Sequence, residues 1–180
     1  MTFEILTTER LLLRQLSPEI VEYVYANYSN EQLINFLGLE NEEQLVIEKN
    51  KFEKGLTTFN KSFLYFQILD KSTEKIIGWC GFHTWYLDHF RAEIGYGLFD
   101  ENFKNKGIMT ETMQAVLEYG FHQMKLYRIE AFIGSYNIPS LKLVEKFGFT
   151  KEGILRNHYL KNNVMEDSVV YSLLQDEYNQ

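Results

Sequence analysis

The chain is short of cysteine, of positive charge and of long apolar runs, and each shortage removes a class of protein. A single cysteine, Cys80, leaves no intramolecular disulfide framework. Its place in an apolar strand pattern suits a packed core thiol better than a nucleophile. Lys and Arg number 18 against 25 Asp and Glu, a net charge of −7, so the basic field of a general nucleic-acid binder is missing. That balance suits a cationic partner or substrate instead. No apolar run approaches the ~20 residues of a membrane-spanning helix. Met1 to Ile5 include Glu4 and lead into Glu9 and Arg10, unlike a signal peptide, and the expected compartment is the cytoplasm. His83, His89, His122 and His158 show no metal-binding spacing, so no metal is expected. No repeat, low-complexity tract or linker divides residues 1–180, which read as a single domain. With 45% hydrophobic and 16% aromatic residues the chain is too apolar to stay disordered.

What is present centres on the stretch from Phe99 to Gly120. Met109, Met113, Val116, Leu117, Gly120, Phe121 and Met124 step by three and four, one face of an amphipathic helix, with Glu111, Gln114, Glu118 and Gln123 on the other side. Asn105, Lys106 and Gly107 offer its first-turn N–H groups no capping carboxylate or hydroxyl. With Lys104 and Lys106 beside a glycine, a phosphate or pyrophosphate at the helix start would satisfy them. Equally, Thr110 would cap a slightly shorter helix with both lysines solvated. A Walker motif is absent, and Gly95 and Gly97 lack the third glycine of a dinucleotide fingerprint.

Around this stretch, Arg10 to Arg14 reads as a first strand, and Ser17 before Pro18 starts a helix with Ile20, Val21, Val24 and Tyr25 on its apolar side. A second helix is expected over 42–56 with Leu45, Phe52 and Leu56 inward. Residues 28–39 have no clean periodicity and read as a connection or a mobile substrate loop. Phe63 to Leu69 and Lys75 to Trp85 form a hairpin, Gly78 and Gly81 marking a bulge or close packing. Strands follow over 91–99 and 126–133, then a helix from Asn137 to Phe147 stopped by Gly148, then strands 151–160 and 165–174 around a turn at Lys161 to Asn163. The expected class is α/β: a mixed, mostly antiparallel seven-stranded sheet flanked by about four helices.

Lys104, Asn105, Lys106, Gly107, Ile108 and Met109 resemble motif A of the GNAT acyltransferases, Q/R-x-x-G-x-G/A, with Lys at the first position and Met at the last. Five further matches fall in family order: Thr8 to Arg14, which is similar to the opening T-E-R-L-x-L-R of the RimJ/RimL branch, Ile77 with Gly78, Glu93 to Tyr96, Asn137 to Ser140 leading to Glu145 to Phe149, and Glu152 to Arg156. The resemblance runs end to end. It implies the GNAT fold, with acetyl-CoA as co-substrate. It implies that backbone groups near Leu98 and Phe99 pair with the pantetheine arm where two strands splay. N–H groups from Asn105, Lys106, Gly107, Ile108, Met109 and Thr110 would hold the pyrophosphate beside Lys104, and Asn137 would bond the pantetheine amide. Met109 must then tuck its side chain toward the core.

The same resemblance implies direct attack of an amine on the thioester. An α-amino group, with pKa about 7.7 to 8.0, is partly neutral already, whereas a lysine near 10.4 must give up roughly 3 more units, or about 4 kcal/mol. Glu93 is the candidate base, or else a solvated acid paired with Arg91. Ser140 is the candidate to protonate or hydrogen-bond the departing thiolate, or else a first-turn capping hydroxyl. His83 and His89 read as structural. Trp85, Tyr86 and Phe90 suit core or dimer packing as well as a pocket wall, which leaves a homodimer open. Pocket walls are expected from 28–39, 85–90 and 161–163. RimJ/RimL members acetylate N-termini of ribosomal proteins or related amines, so a protein α-amine is the expected acceptor. A polyamine, amino acid or antibiotic amine, or a non-catalytic acyl-CoA-binding module, are the alternatives.

Overall fold

The computed structural model describes residues 3–55, 57–58 and 61–178. Among them the chain forms eight strands: β1 (Ile5–Thr7), β2 (Leu11–Leu16), β3 (Lys61–Asp70), β4 (Ile76–Tyr86), β5 (Arg91–Leu98), β6 (Arg128–Gly134), β7 (Thr150–Lys161) and β8 (Val164–Leu174). Six helices accompany them: α1 (Pro18–Asn27), α2 (Asn30–Leu37), α3 (Glu42–Glu53), α4 (Ile108–His122), α5 (Ile138–Lys146) and α6 (Gln175–Tyr178). The strands make one sheet in the order β1-β2-β3-β4-β5-β6-β8-β7. No helix among the described residues is long and apolar enough to cross a membrane.

The counts of seven strands and four helices need correction. β1 is a three-residue strand paired with β2 through Ile5 and Arg14, too short to carry a period. Residues 28–39 hold α2, capped by the reciprocal bonds of Ser29 and Gln32 and ended by Gly38 in the left-handed region. Its buried side is only Leu33 and Phe36, too few to show a period. Arg14 fixes α2 to the sheet: its guanidinium donates to Gln67 Oε1 and to the Phe36 carbonyl at 2.6 Å, and lies 4.2 Å from the centre of the Phe36 ring. In α3, Leu45 is buried and Phe52 stacks on Tyr25. The expected inward Leu56 lies outside the described residues. The β7–β8 turn is Asn162 and Asn163, both at positive φ (49° and 62°), the backbone of a two-residue hairpin with right-handed twist.

Helices cover both faces. On one, Leu16, Ile20, Val24, Leu33, Phe36 and Leu45 form a small cluster under α1 to α3. On the other, Met113, Val116, Leu117 and Phe121 of α4 pack on Phe66, Phe82, Cys80 and Ile129 of the sheet, with Val144 of α5 in the same cluster. Cys80 is fully buried there, and burial pushes its thiol up, out of nucleophile range.

One pairing is incomplete. β5 and β6 run parallel and pair at Arg91 with Arg128, Ala92 with Ile129 and Glu93 with Glu130. Beyond Glu93, β5 stays with β4 as far as Leu98 and Gly78, and β6 stays with β8 as far as Gly134 and Ser168. A wedge opens between them, and α4 starts beyond the open end of β5.

α4 sits so close to the sheet that a Cβ at Gly120 would lie 2.5 Å from Cζ of Phe82, a fully buried ring. Gly120→Ala should therefore destabilise the fold by about 1–3 kcal/mol despite its better helix propensity. A urea midpoint at or above wild type would show that Phe82 yields.

Candidate active site

The wedge leads into a cavity of about 440 Å³ lined by Glu93 and Tyr96 of β5, residues 131–134 of β6, Asn137 and Ser140 at the start of α5, and Tyr159 to Lys161 and Glu166 to Ser168 of the β7–β8 hairpin. Of the expected walls only Lys161 contributes. Residues 28–39 are committed to α2, Trp85 packs on the main core, and Tyr86 lies between the cations of Lys61 and Arg91.

Glu93 stands at the closed end of the wedge, in the last paired position, and is 8% exposed. Burial, reinforced by the Glu130 carboxylate opposite it, pushes its pKa up to about 7 against a smaller pull from the Tyr159 hydroxyl. Arg91 does not neutralise it, being bonded to Glu130 at 2.8 Å. Glu93 is thus a buried carboxyl that changes charge near neutrality, a property suited to general-base work. His83 of β4 faces it, Nδ1 3.5 Å from Oε2, and burial lowers the imidazole's pKa. The register shifts between His83 and Tyr86, and Thr84 there has φ of 48°, a strained value for a β-branched residue. Sequence reading passed over His83. The cross-strand pairing of His83 with Glu93 carries the signal, and it appears only once the β4–β5 register is set.

At the open end, α4 begins at Ile108, so Thr110 does not cap a shorter helix. Its N-cap is Gly107 at φ 75°, with no side-chain cap. Among the described residues, no backbone hydrogen bond uses the N–H groups of Asn105, Lys106, Gly107, Ile108, Met109 or Thr110. Lys104 turns back onto Glu101, and Met109 packs against the core as its place in the motif requires. Arg10 donates to the Lys106 carbonyl at 2.9 Å and to Glu111 at 2.6 Å, and Thr8 donates to the same carboxylate at 2.6 Å. The sequence had assigned these two residues no part here.

Between the two ends, the Phe99 N–H is already taken by the Ile77 carbonyl at 3.0 Å. By antiparallel alternation the Leu98 backbone faces the wedge, and Phe99 offers a side chain 59% exposed. Asn137 Oδ1 caps α5 by accepting from the Ser140 N–H at 3.3 Å, which leaves its carboxamide N–H groups to donate. The Ser140 hydroxyl takes no part in that cap.

A helix start with free N–H groups suits an anion, a buried titrating carboxyl suits general-base work, and the parted strands connect the two. The chain belongs to the GNAT acetyltransferase family: residues 10–150 match the family described as Acetyltransferase (GNAT) domain. The uncharacterized N-acetyltransferase YoaA of Bacillus subtilis (strain 168) is 35% identical over 173 residues, 96% of this chain and 97% of that one. The ribosomal protein uS5-alanine N-acetyltransferase of Escherichia coli (strain K12) is 29% identical over 125 residues, 69% of this chain and 61% of that protein. A solved GNAT-family acetyltransferase from Bacillus anthracis has a TM-score of 0.67 at 28% identity, covering 97% of this chain and 100% of that one. This chain is an N-acetyltransferase.

Burying Glu93 has a stability consequence. Between its ordinary value, 4.5, and about 7 the folded protein holds a proton the unfolded chain has lost, so stability falls as pH rises through that window and stays lower above it. Full ionisation costs about 3 kcal/mol. Glu93→Gln should therefore be more stable than wild type at pH 8, by a margin that shrinks toward pH 5, in urea titrations. Parallel pH profiles would mean that Glu93 ionises like an exposed glutamate.

Proposed function

We propose that the protein, acting as one catalytic domain, acetylates the N-terminal α-amine of a basic polypeptide, with Glu93 as the base. The observation that carries this reading is the buried carboxyl of Glu93, poised near pH 7 at the closed end of the wedge. An α-ammonium lies within about one pKa unit of such a base, whereas a lysine or polyamine ammonium lies more than three above it. The relative that acts on ribosomal protein uS5 and the net charge of −7 support a basic polypeptide. Glu166 and Asp167 on the cavity wall add local attraction for its cationic tail.

The residues present fit acetyl-CoA. Free N–H groups from Asn105 to Thr110 would receive the pyrophosphate, with Gly107 letting the backbone approach. The Leu98 backbone and the Asn137 carboxamide would hold the pantetheine arm, whose amides need such partners. Acetyl-CoA supplies an acetyl group activated as a thioester. Glu93, ionised, takes the proton of the entering ammonium, and the carboxylates of Glu166 and Asp167 on the cavity wall would orient it. His83 supports the Glu93 carboxyl from the facing strand. Ser140, on the cavity wall, would protonate or hydrogen-bond the departing thiolate.

The cofactor assignment predicts the behaviour of two variants that differ mainly in charge. Asn and Asp both tolerate the left-handed backbone of Gly107 and both can cap the free N–H groups, but Asp also repels pyrophosphate by its charge. Calorimetry should show CoA affinity falling much further in Gly107→Asp than in Gly107→Asn. Equal affinities would place the pyrophosphate elsewhere.

The acceptor is tested by offering basic N-terminal peptides, spermidine and free amino acids together, across pH, to wild type and Glu93→Gln. The peptide should win by kcat/KM, its rate rising through pH about 7 in wild type and losing that limb in the variant. If spermidine wins by a wide margin, the acceptor is a small polyamine.

A further inference from the structure

An acceptor ammonium must shed two protons to become an amide, one bound for the CoA thiol and one for solvent, and a single carboxyl holds only one at a time. Glu93 is no base again until its first proton has gone, and it is poorly placed to give that proton to water, being 8% exposed. The side chain facing it is less enclosed: that of His83 is 29% exposed against 11% for that of Glu93. His83 Nδ1 lies 3.5 Å from Glu93 Oε2 and 3.3 Å from Thr84 Oγ1. That hydroxyl serves either state of the ring, since it can donate to a bare Nδ1 and accept from a protonated one. The ring lies along β5 because residue 95 is glycine: a Cβ there would come within 3.0 Å of His83 Nε2 and 2.9 Å of Trp79 Cη2. Among the described residues no hydrogen bond engages Nε2, and His83 lines the cavity. One ring nitrogen thus meets the base while the other is left to cavity water.

We propose that His83 is the second proton acceptor of the site, receiving at Nδ1 the proton that Glu93 has taken from the acceptor's ammonium. The inference rests on the acetyl-transfer reading with Glu93 as base. His83 acts through Glu93 and is a positioning residue for the proton. The first proton passes from the ammonium to Glu93 and on to Nδ1, which leaves Glu93 ionised. The amine nitrogen then bonds the carbonyl carbon and gives its second proton to Glu93, and the carbon–sulfur pair departs on sulfur. The thiolate takes a proton from water, through Ser140 or directly, and His83 and Glu93 return theirs to water, so each turnover yields one thiol and one proton in solvent. Burial lowers the imidazole's pKa, which keeps Nδ1 bare at rest, and the carboxylate uncovered 3.5 Å away stabilises the imidazolium once it forms. The pair therefore titrates as a unit. Glu130 and Tyr159 reach Glu93 from β6 and β7. From β3, Tyr65 faces the imidazole with ring centres 6.4 Å apart, and burial pushes its phenol up to about 12, so it brings no charge.

The test is kcat at saturating acetyl-CoA and peptide in dilute buffer, with and without added imidazole. His83→Gln keeps an amide beside Glu93 but takes no proton. It should melt near wild type, keep CoA affinity and the amine's KM, and lose roughly tenfold in kcat, short of the about 10²- to 10⁴-fold expected of Glu93→Gln. His83→Ala should be as slow, and added imidazole should restore its kcat saturably while leaving wild type and Glu93→Gln unmoved. A His83→Gln enzyme at wild-type kcat overturns the proposal. So does a slow His83→Ala enzyme that imidazole does not help, which would make the ring structural, and so does equal rescue of Glu93→Gln, which would make imidazole the base itself. If wild type transfers no acetyl group, or Glu93→Gln matches it, the underlying reading fails and this inference falls with it.

Discussion

The site depends on a pairing that stops. β5 and β6 exchange hydrogen bonds over three residue pairs and then part, so each presents an unpaired backbone edge to the wedge. Open edges are costly when buried and prone to mispairing when exposed. Here both strands are anchored on their other sides, β5 by β4 and β6 by β8, so the edge can stay open without loss of order. The opening sets the remaining geometry. Glu93 lies at the vertex, Tyr96 and Leu98 lie along one arm, Asn137 and Ser140 follow the end of the other arm, and the start of α4 faces the mouth.

Charge at the vertex sets Glu93 apart from the carboxylates around it. Glu93 and Glu130 are direct partners across the last paired rung, a placement that repels. Glu130 is held by Arg91 and Arg128, each at 2.8 Å, and Arg128 also binds Glu152 at 2.6 Å. Hydrogen bonds from Arg128 and Ser172 hold Glu152 at about 2. Beside Glu93 lie a largely neutral imidazole and the Tyr159 hydroxyl, and burial dominates. The fold therefore carries a standing cost above neutral pH at the position where a base is needed, the usual relation between stability and activity at a catalytic group.

How much of this was legible depends on how local each signal is. The hairpins β3–β4 and β7–β8 were readable because alternation and turn residues lie within a few positions of each other, as with Asn162 and Asn163. α5 announced itself through Asn137 and a proline in its first turn. α2 was missed although Ser29, Gln32 and Gly38 spell its two ends, because those signs were outweighed by its missing period. The uncapped start of α4 was legible, and so was Glu93 as a candidate. His83 was not, since its importance comes from register, which no short window of sequence records. Of the backbone groups expected near Leu98 and Phe99, the Phe99 N–H is already bonded to β4.

The opening segment shows how a motif can be recognisable before its reason is known. Thr8 and Arg10 match a family pattern at the start of the chain, yet they act at the first turn of α4, a hundred residues on. Glu111 there suits the positive end of the helix but would repel a bound phosphate. Burial alone would raise its pKa, but the hydrogen bonds from Thr8 and Arg10 outweigh burial and hold it below the usual range. Arg10 thus cancels the charge that would oppose an anion, and by binding the Lys106 carbonyl it fixes the loop that would receive one. Helix polarity and anion binding place opposite demands on this turn, and a cation from a distant strand turn meets both.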